Sequence, residues 1–87
     1  MAAYRLLLKP SAASEIDAIG AKADRRRIVA RIGKLALQPR PPGGEKLAGA
    51  DGWHRVRQGD YRIVYAIDDE RREVVVVKVG HRREVYR

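Results

Sequence analysis

The chain has 87 residues, and Val, Ile and Leu supply about a quarter of them, which is enough for one modest hydrophobic core. A single domain spanning residues 1–87 is therefore predicted. Lys and Arg number 19 against 11 Asp and Glu, and the resulting net charge of +8 favours polyanionic partners such as nucleic acid or an acidic protein. The chain has no cysteine, which excludes disulfides and thiolate chemistry, and its two histidines do not make an ordinary structural zinc site.

The sequence carries no targeting or membrane signal. Residues 1–9 lack the charged start, long apolar centre and small-residue cleavage site of a signal peptide. The longest aliphatic run, Val74 to Val77, is far too short to span a bilayer. We therefore expect a cytoplasmic protein without membrane partners.

The first half of the chain predicts a strand followed by two helices. Ala3 to Leu8 is short and aliphatic, and Pro10 stops it because proline cannot extend a ladder. Ser11 is the predicted N-cap of the first helix, and Asp24 is the predicted N-cap of the second. Because the link between the two helices is short, we expect them to form a helical hairpin. The apolar stripes at helical spacing are Ala13, Ile16, Ile19 and Ala23 in the first helix and Ile28, Ile32 and Leu35 in the second.

The second half predicts a meander of strands. Prolines and glycines from Gln38 to Gly44 make an irregular connector. Strands follow at Trp53 to Gln58, Asp60 to Ile67 and Glu73 to Val79, with links short enough for antiparallel hairpins. The order β-α-α-β-β-β predicts an α+β domain in which the N-terminal helical hairpin packs on one face of a mainly antiparallel sheet and leaves the other face free.

Cationic and aromatic side chains collect on the predicted free face. Strand alternation puts Trp53, Arg55 and Arg57 on one side, and Arg62 joins them as an exposed exception beside a core row. The tail from His81 to Arg87 is expected to leave the last strand through Gly80 and to fold back across this face. Such a surface suits RNA, because arginine pairs with phosphate and aromatic rings stack on bases. Solvated arginines on an exposed sheet are the alternative interpretation.

No familiar catalytic motif is present: there is no phosphate-binding loop, serine-nucleophile elbow or zinc-protease motif, and the histidines lack metal-ligand spacing. His81, next to Arg82 and Arg83, is a candidate general acid or base, although a lone histidine in a basic tail is more often a surface residue. We expect neither a metal nor a cofactor.

Four segments resemble the RelE branch of the RelE/ParE superfamily of bacterial and archaeal type II toxins. They are KLAG at Lys46 to Gly49, WHRVR at Trp53 to Arg57, GDYRIVY at Gly59 to Tyr65 and VGHRREVY at Val79 to Tyr86. The resemblance covers essentially the whole chain and includes the β-α-α-β-β-β order. It implies a RelE-like fold.

The resemblance further implies a ribosome-dependent, metal-independent endoribonuclease that cleaves mRNA in the A site of the 30S subunit. In that reaction the 2′-hydroxyl attacks the adjacent phosphate, which leaves a 2′,3′-cyclic phosphate and a 5′-hydroxyl. A small acidic RelB-like antitoxin is the implied partner, and we expect it on the helical hairpin or the open groove, where it would neutralise part of the positive charge.

The family's functional positions fall on residues of this chain. By resemblance, Arg62 and Arg82 stabilise the charge that develops on phosphate, and Tyr86 stacks on a base or acts as general base. Arginine occupies positions 55 and 57, where lysine is familiar, and a guanidinium is a poor proton donor or acceptor, so His81 is the candidate that compensates. The implied catalytic set is Arg55, Arg57, Arg62, His81, Arg82 and Tyr86, and the RNA-binding set is Trp53, Arg55, Arg57, Arg62, Arg82 and Arg83.

Two other functions stay open at the level of sequence. One is a ParE-like inhibitor of DNA gyrase, and the other is a non-catalytic module that binds RNA or the ribosome. ParE-like toxins tend to lack the full cationic and tyrosine set, so its retention here favours the nuclease.

Overall fold

The computed structural model describes residues 3–47 and 52–81, which form two helices and a five-stranded sheet. The elements in chain order are β1 (Arg5–Leu8), α1 (Pro10–Asp17), α2 (Lys22–Leu35), β2 (Glu45–Lys46), β3 (Trp53–Gln58), β4 (Tyr61–Asp68) and β5 (Glu73–His81). The predicted α+β class, with a helical hairpin packed on the sheet, is confirmed. The two-residue strand β2 was not predicted, because two residues are too few to show a periodicity.

The strands lie in the order β1-β5-β4-β3-β2, so β4 is central. β1 is parallel to β5, and the other pairs are antiparallel. β1 pairs with β5 only as far as Val76, and beyond it the Glu15 carboxylate of α1 accepts hydrogen bonds from the Val79 N–H and the Lys78 Nζ, both at 2.9 Å. Glu15 thus satisfies the edge of β5 that β1 leaves unpaired.

Both helices begin earlier than the sequence predicts. α1 starts at Pro10, with Lys9 as N-cap, because proline fits the first turn of a helix, where its missing N–H has no partner to lose. The prediction of Ser11 as N-cap is therefore wrong. Ala21 rather than Asp24 is the N-cap of α2, and Asp24 instead lies in the first turn, where a carboxylate interacts favourably with the helix dipole. Within the described parts of the chain, no helix has the length and apolar character needed to cross a membrane.

The core lies between the helical hairpin and one face of the sheet. The predicted stripe of Ile28, Ile32 and Leu35 is confirmed, since each is at most 2% exposed. In α1, Ala12 rather than Ala13 joins Ile16 in the core, four residues apart on one helix face. Ile19 is buried just after α1, and Ala23, which belongs to α2, is exposed, so its place in the predicted stripe is wrong. The sheet contributes Val56, Ile63, Tyr65, Val74, Val76 and Val79.

The connector between α2 and β2 is tied to the sheet. The buried Tyr65 hydroxyl donates to the Pro39 carbonyl at 2.7 Å. The Arg40 guanidinium donates to both carboxylate oxygens of Asp69, at 2.8 and 3.2 Å. A turn in which the Gly44 N–H donates to the Pro41 carbonyl then leads the chain into β2. These contacts place β2 beside β3 at the edge of the open face.

Candidate functional site

A cleft lined by arginines lies on the sheet face that the helices leave uncovered. Arg57 of β3 and Arg62 of β4 are direct cross-strand partners, so their side chains leave the same face, and Arg55 joins them two residues along β3. The cleft has a volume of about 200 Å³. We call it the arginine cleft, and its lining residues are Gly43, Glu45, Arg55, Arg57 and Arg62.

The arginine cleft concentrates positive charge. Like charges directly opposite each other on neighbouring strands repel, so the pairing of Arg57 with Arg62 by itself costs folding free energy, and the nearby Glu45 carboxylate counters part of the repulsion. A bound anion would offset this cost. Guanidinium groups bind phosphate and carboxylate oxygens through paired hydrogen bonds, so a phosphate group is one anion that this arrangement can hold.

Arg62 is buried, which corrects the prediction that it is exposed. It retains only 8% of its accessible surface in the central strand β4. Arg57 lies opposite Arg62 on one side, and Gly80 of β5 lies opposite on the other without a side chain. A buried guanidinium held between two strands is more rigidly placed than a solvated one, so it suits precise contact with a ligand.

Glu45 is the carboxylate among the described residues that line the arginine cleft. It is the cross-strand partner of Arg55, whose Nη2 donates to Glu45 Oε2 at 2.5 Å. The hydrogen bond from Arg55, its charge and the charges of Arg62 and Arg57 lower the pKa of Glu45 from the usual 4.5. The carboxylate is therefore ionised at neutral pH, and its side chain remains 63% exposed at the mouth of the cleft.

Trp53 lies on the same face, as predicted, but it does not line the arginine cleft. It precedes Arg55 by two residues, or about 7 Å along the strand. Its cross-strand partner is Ala66, and 39% of its surface is exposed. A flat apolar ring in this position is available for stacking beside the cleft.

His81 lies elsewhere, and two expectations about it need correction. It belongs to β5 rather than to a tail that begins after Gly80, because it pairs in register with Tyr61. Its imidazole meets the Tyr61 ring edge-on, with 5.8 Å between the centroids. The two rings line a separate cavity of about 330 Å³ together with Asp24, Arg27 and residues of the β3–β4 turn. His81 is therefore not brought together with the arginine cleft.

The predicted site residues Arg82, Arg83 and Tyr86 lie outside the described residues. Of the predicted set, the structure thus brings together Arg55, Arg57 and Arg62. Within residues 3–47 and 52–81, no group of three or more His, Asp or Glu side chains is placed to hold a metal ion.

Glu45 and Gly43 are parts of the site that the sequence did not reveal. Gly43 has a φ of +85°, a conformation that glycine adopts readily and that turns the connector toward β2. The signal available in the sequence was a lone acidic residue after a Pro- and Gly-rich stretch, which is too common to single out.

Comparisons with known proteins agree with this fold. The model of the family described as the ParE toxin of the type II toxin–antitoxin system parDE matches residues 6–86. Toxin RelE of Mycobacterium tuberculosis is 30% identical over 84 residues, which is 97% of this chain and 87% of that protein. The isolated Escherichia coli RelE toxin superposes with a TM-score of 0.78 at 28% identity, covering 97% of this chain and 92% of that one.

A complex is among the similar structures. The archaeal RelE–RelB complex from Pyrococcus horikoshii OT3 contains a chain that matches with a TM-score of 0.81 at 25% identity, over 92% of this chain and 96% of that one. The family model and the relatives each span nearly the whole chain, and the relatives share the fold that carries the arginine cleft. The chain belongs to the ParE toxin family within the RelE/ParE superfamily, and it is a toxin of a type II toxin–antitoxin system.

Proposed function

We propose that this toxin is a ribosome-dependent endoribonuclease that cleaves mRNA in the ribosomal A site in the cytoplasm, without a metal ion. The observation that supports the proposal is the arginine cleft, in which Arg57 and the buried Arg62 oppose each other and can bind an anionic group such as phosphate. Relatives named RelE toxins support the nuclease over other toxin activities.

In this reaction a 2′-hydroxyl attacks the neighbouring phosphate. Negative charge develops on the phosphate oxygens in the transition state. Preorganised cations aimed at that charge usually supply the largest part of catalysis. In the proposal Arg62 and Arg82 stabilise this charge. Tyr86 stacks on a base or takes part in proton transfer.

The remaining residues of the proposed site bind RNA. Arg55 and Arg57 hold the phosphate backbone in the arginine cleft. Arg83 adds a further cationic contact, and Trp53 offers a stacking platform beside the cleft. His81 contacts Tyr61 in a cavity separate from the arginine cleft. A catalytic role for His81 therefore requires the RNA to reach that cavity as well.

The chemistry of the product ends tests this proposal. We expect purified toxin to cut an mRNA on programmed ribosomes and to leave a 2′,3′-cyclic phosphate and a 5′-hydroxyl. A single 2′-deoxynucleotide at the cut position should abolish that cut, because the attacking hydroxyl is gone. Cleavage of the deoxy-substituted mRNA, or a 3′-hydroxyl end, would contradict the proposed mechanism.

The proposal includes a RelB-like antitoxin as partner, supported by the similarity to the toxin chain of the Pyrococcus RelE–RelB complex. An open groove of about 400 Å³ on the helical hairpin has an apolar floor that includes Ile16 and Val29, and Arg25 and Arg26 also line it. An acidic amphipathic helix fits both features. Co-expression with the neighbouring reading frame should yield a complex that copurifies.

Inhibition of DNA gyrase is the second candidate, because the matching family model is that of ParE toxins. A supercoiling assay with purified gyrase separates the two. Inhibition without mRNA cleavage would favour this candidate, and cleavage without inhibition favours the nuclease.

A further inference from the structure

The arginine cleft holds one carboxylate among its described lining residues, and no role follows for it from phosphate binding alone. An anion at the mouth of a phosphate site repels the ligand, so Glu45 weakens ground-state binding of RNA. A group that opposes binding and still lies at the site is better explained by the chemical step.

We propose that Glu45 is the general base that takes the proton from the attacking 2′-hydroxyl, an inference that rests on the proposed nuclease function. The reaction needs a proton acceptor beside the phosphate. The other polar side chains that line the described cleft belong to Arg55, Arg57 and Arg62, and a guanidinium stays protonated at neutral pH. Glu45 is therefore the described lining residue able to accept a proton.

The backbone holds Glu45 in place for this role. β2 pairs Glu45 with Arg55 and Lys46 with His54. The Leu47 N–H donates to the Trp53 carbonyl at 2.9 Å, which continues the contact beyond the strand. The carboxylate consequently lies in the same cleft as Arg62, the guanidinium that in the proposal stabilises the scissile phosphate.

The pairing with Arg55 also makes the base responsive to substrate. In the free protein the Arg55 hydrogen bond keeps Glu45 ionised and lowers its pKa, so the carboxylate is ready but weakly basic. When a phosphate takes hydrogen bonds from Arg55, the carboxylate loses part of that stabilisation, and its basicity rises at the moment when the 2′-hydroxyl is adjacent.

Glu45 takes the proton of the 2′-hydroxyl, and the 2′-oxygen forms a bond to phosphorus as the bond from phosphorus to the 5′-oxygen breaks. The departing 5′-oxygen takes up a proton from solvent, and Glu45 later returns its proton to solvent. The products are a 2′,3′-cyclic phosphate and a 5′-hydroxyl.

Single-turnover cleavage on programmed ribosomes, measured from acidic to neutral pH, tests the inference with Glu45→Gln, Glu45→Asp and the control Glu73→Gln. Glu73 also forms a cross-strand ion pair with an arginine, Arg5, at the opposite edge of the sheet. We expect Glu45→Gln to lower the rate constant about 10²- to 10⁴-fold, the usual contribution of a general base, and to lose the rise of rate with pH. Glu45→Asp should restore part of the rate and the pH dependence, and Glu73→Gln should match the wild type.

Ribosome binding by each variant, measured separately, distinguishes a catalytic role from a structural one. Because Gln still accepts a hydrogen bond from Arg55, Glu45→Gln should fold and bind ribosomes at least as tightly as the wild type. A Glu45→Gln rate within about threefold of a cleaving wild type, or a rate loss matched by lost binding, overturns this inference alone. A folded wild type that does not cleave on ribosomes overturns the proposed function instead.

Discussion

Arg62 is the residue on which the account of the site depends most. Its side chain is buried between Arg57 and Gly80, so Arg62→Ala would open a cavity and confuse lost stability with lost chemistry. Arg62→Lys keeps the charge and most of the volume but removes the planar fork that pairs with phosphate. We expect single-turnover cleavage to fall about 10²- to 10³-fold, as for loss of one oxyanion donor.

The control for Arg62→Lys is Arg5→Lys, at an exposed position on the far edge strand. Circular dichroism and thermal unfolding should show both variants folded. If Arg62→Lys cleaves like the Arg5 variant, the buried guanidinium is structural rather than catalytic.

At the scale of elements, the connector from α2 to β2 sets the position of Glu45, and Tyr65 anchors it. Tyr65→Phe removes the hydroxyl that donates to the Pro39 carbonyl and leaves a buried acceptor without that partner. We expect the free energy of unfolding in urea to fall by about 1–3 kcal/mol. The control variant is Tyr61→Phe, which removes a hydroxyl from a half-buried tyrosine in the same strand. Equal stability of wild type and Tyr65→Phe would show that the hydrogen bond does not hold the connector.

The second anchor of the connector makes stability depend on pH. Hydrogen bonds from Arg40 and Tyr4 hold the pKa of Asp69 at about 2, below its usual 3.8. Because the folded-state pKa is the lower one, this contribution is complete above pH 4 and disappears as the pH falls toward 2. Asp69→Asn should therefore be less stable than the wild type at pH 7, and their free energies of unfolding should converge near pH 2. A difference that stays constant from pH 7 to pH 2 would contradict this assignment.

These elements also show what a sequence can and cannot predict. The stripe of Ile28, Ile32 and Leu35 was readable because burial on one helix face repeats along the chain. The shared face of Arg55, Arg57 and Arg62 followed from strand alternation. The burial of Arg62 did not, because alternation shows which face a side chain leaves and not how completely its neighbours cover it. Glu45 was missed because β2 is too short for a pattern and gains its meaning from Arg55 ten residues later.

At the scale of the whole molecule, the net charge of +8 and the two faces of the fold separate two kinds of contact. The arginine cleft lies on the open face of the sheet, and the apolar groove lies on the helical hairpin that covers the other. Variants on one face can thus test RNA cleavage while variants on the other test antitoxin binding.

Val29→Glu tests the antitoxin surface. Val29 is 53% exposed in the groove, so the fold should tolerate the change, while a buried like charge should weaken binding of an acidic helix by at least tenfold. The control Leu37→Glu adds the same charge at a position that is 76% exposed and is not among the residues lining that groove. It should leave the affinity for the antitoxin unchanged. Isothermal titration with the purified antitoxin measures both. Unchanged affinity for Val29→Glu would place the antitoxin on another surface.

Whether the arginine cleft is a nuclease site is tested most directly by primer extension on an mRNA translated in a purified system. The reaction is run with and without ribosomes, and wild type is compared with Arg62→Lys. We expect cuts within A-site codons that require ribosomes, and we expect Arg62→Lys nearly to abolish them. Intact mRNA in the presence of folded, antitoxin-free wild type, or equal cutting by the variant, would contradict the assignment of the arginine cleft as a nuclease site.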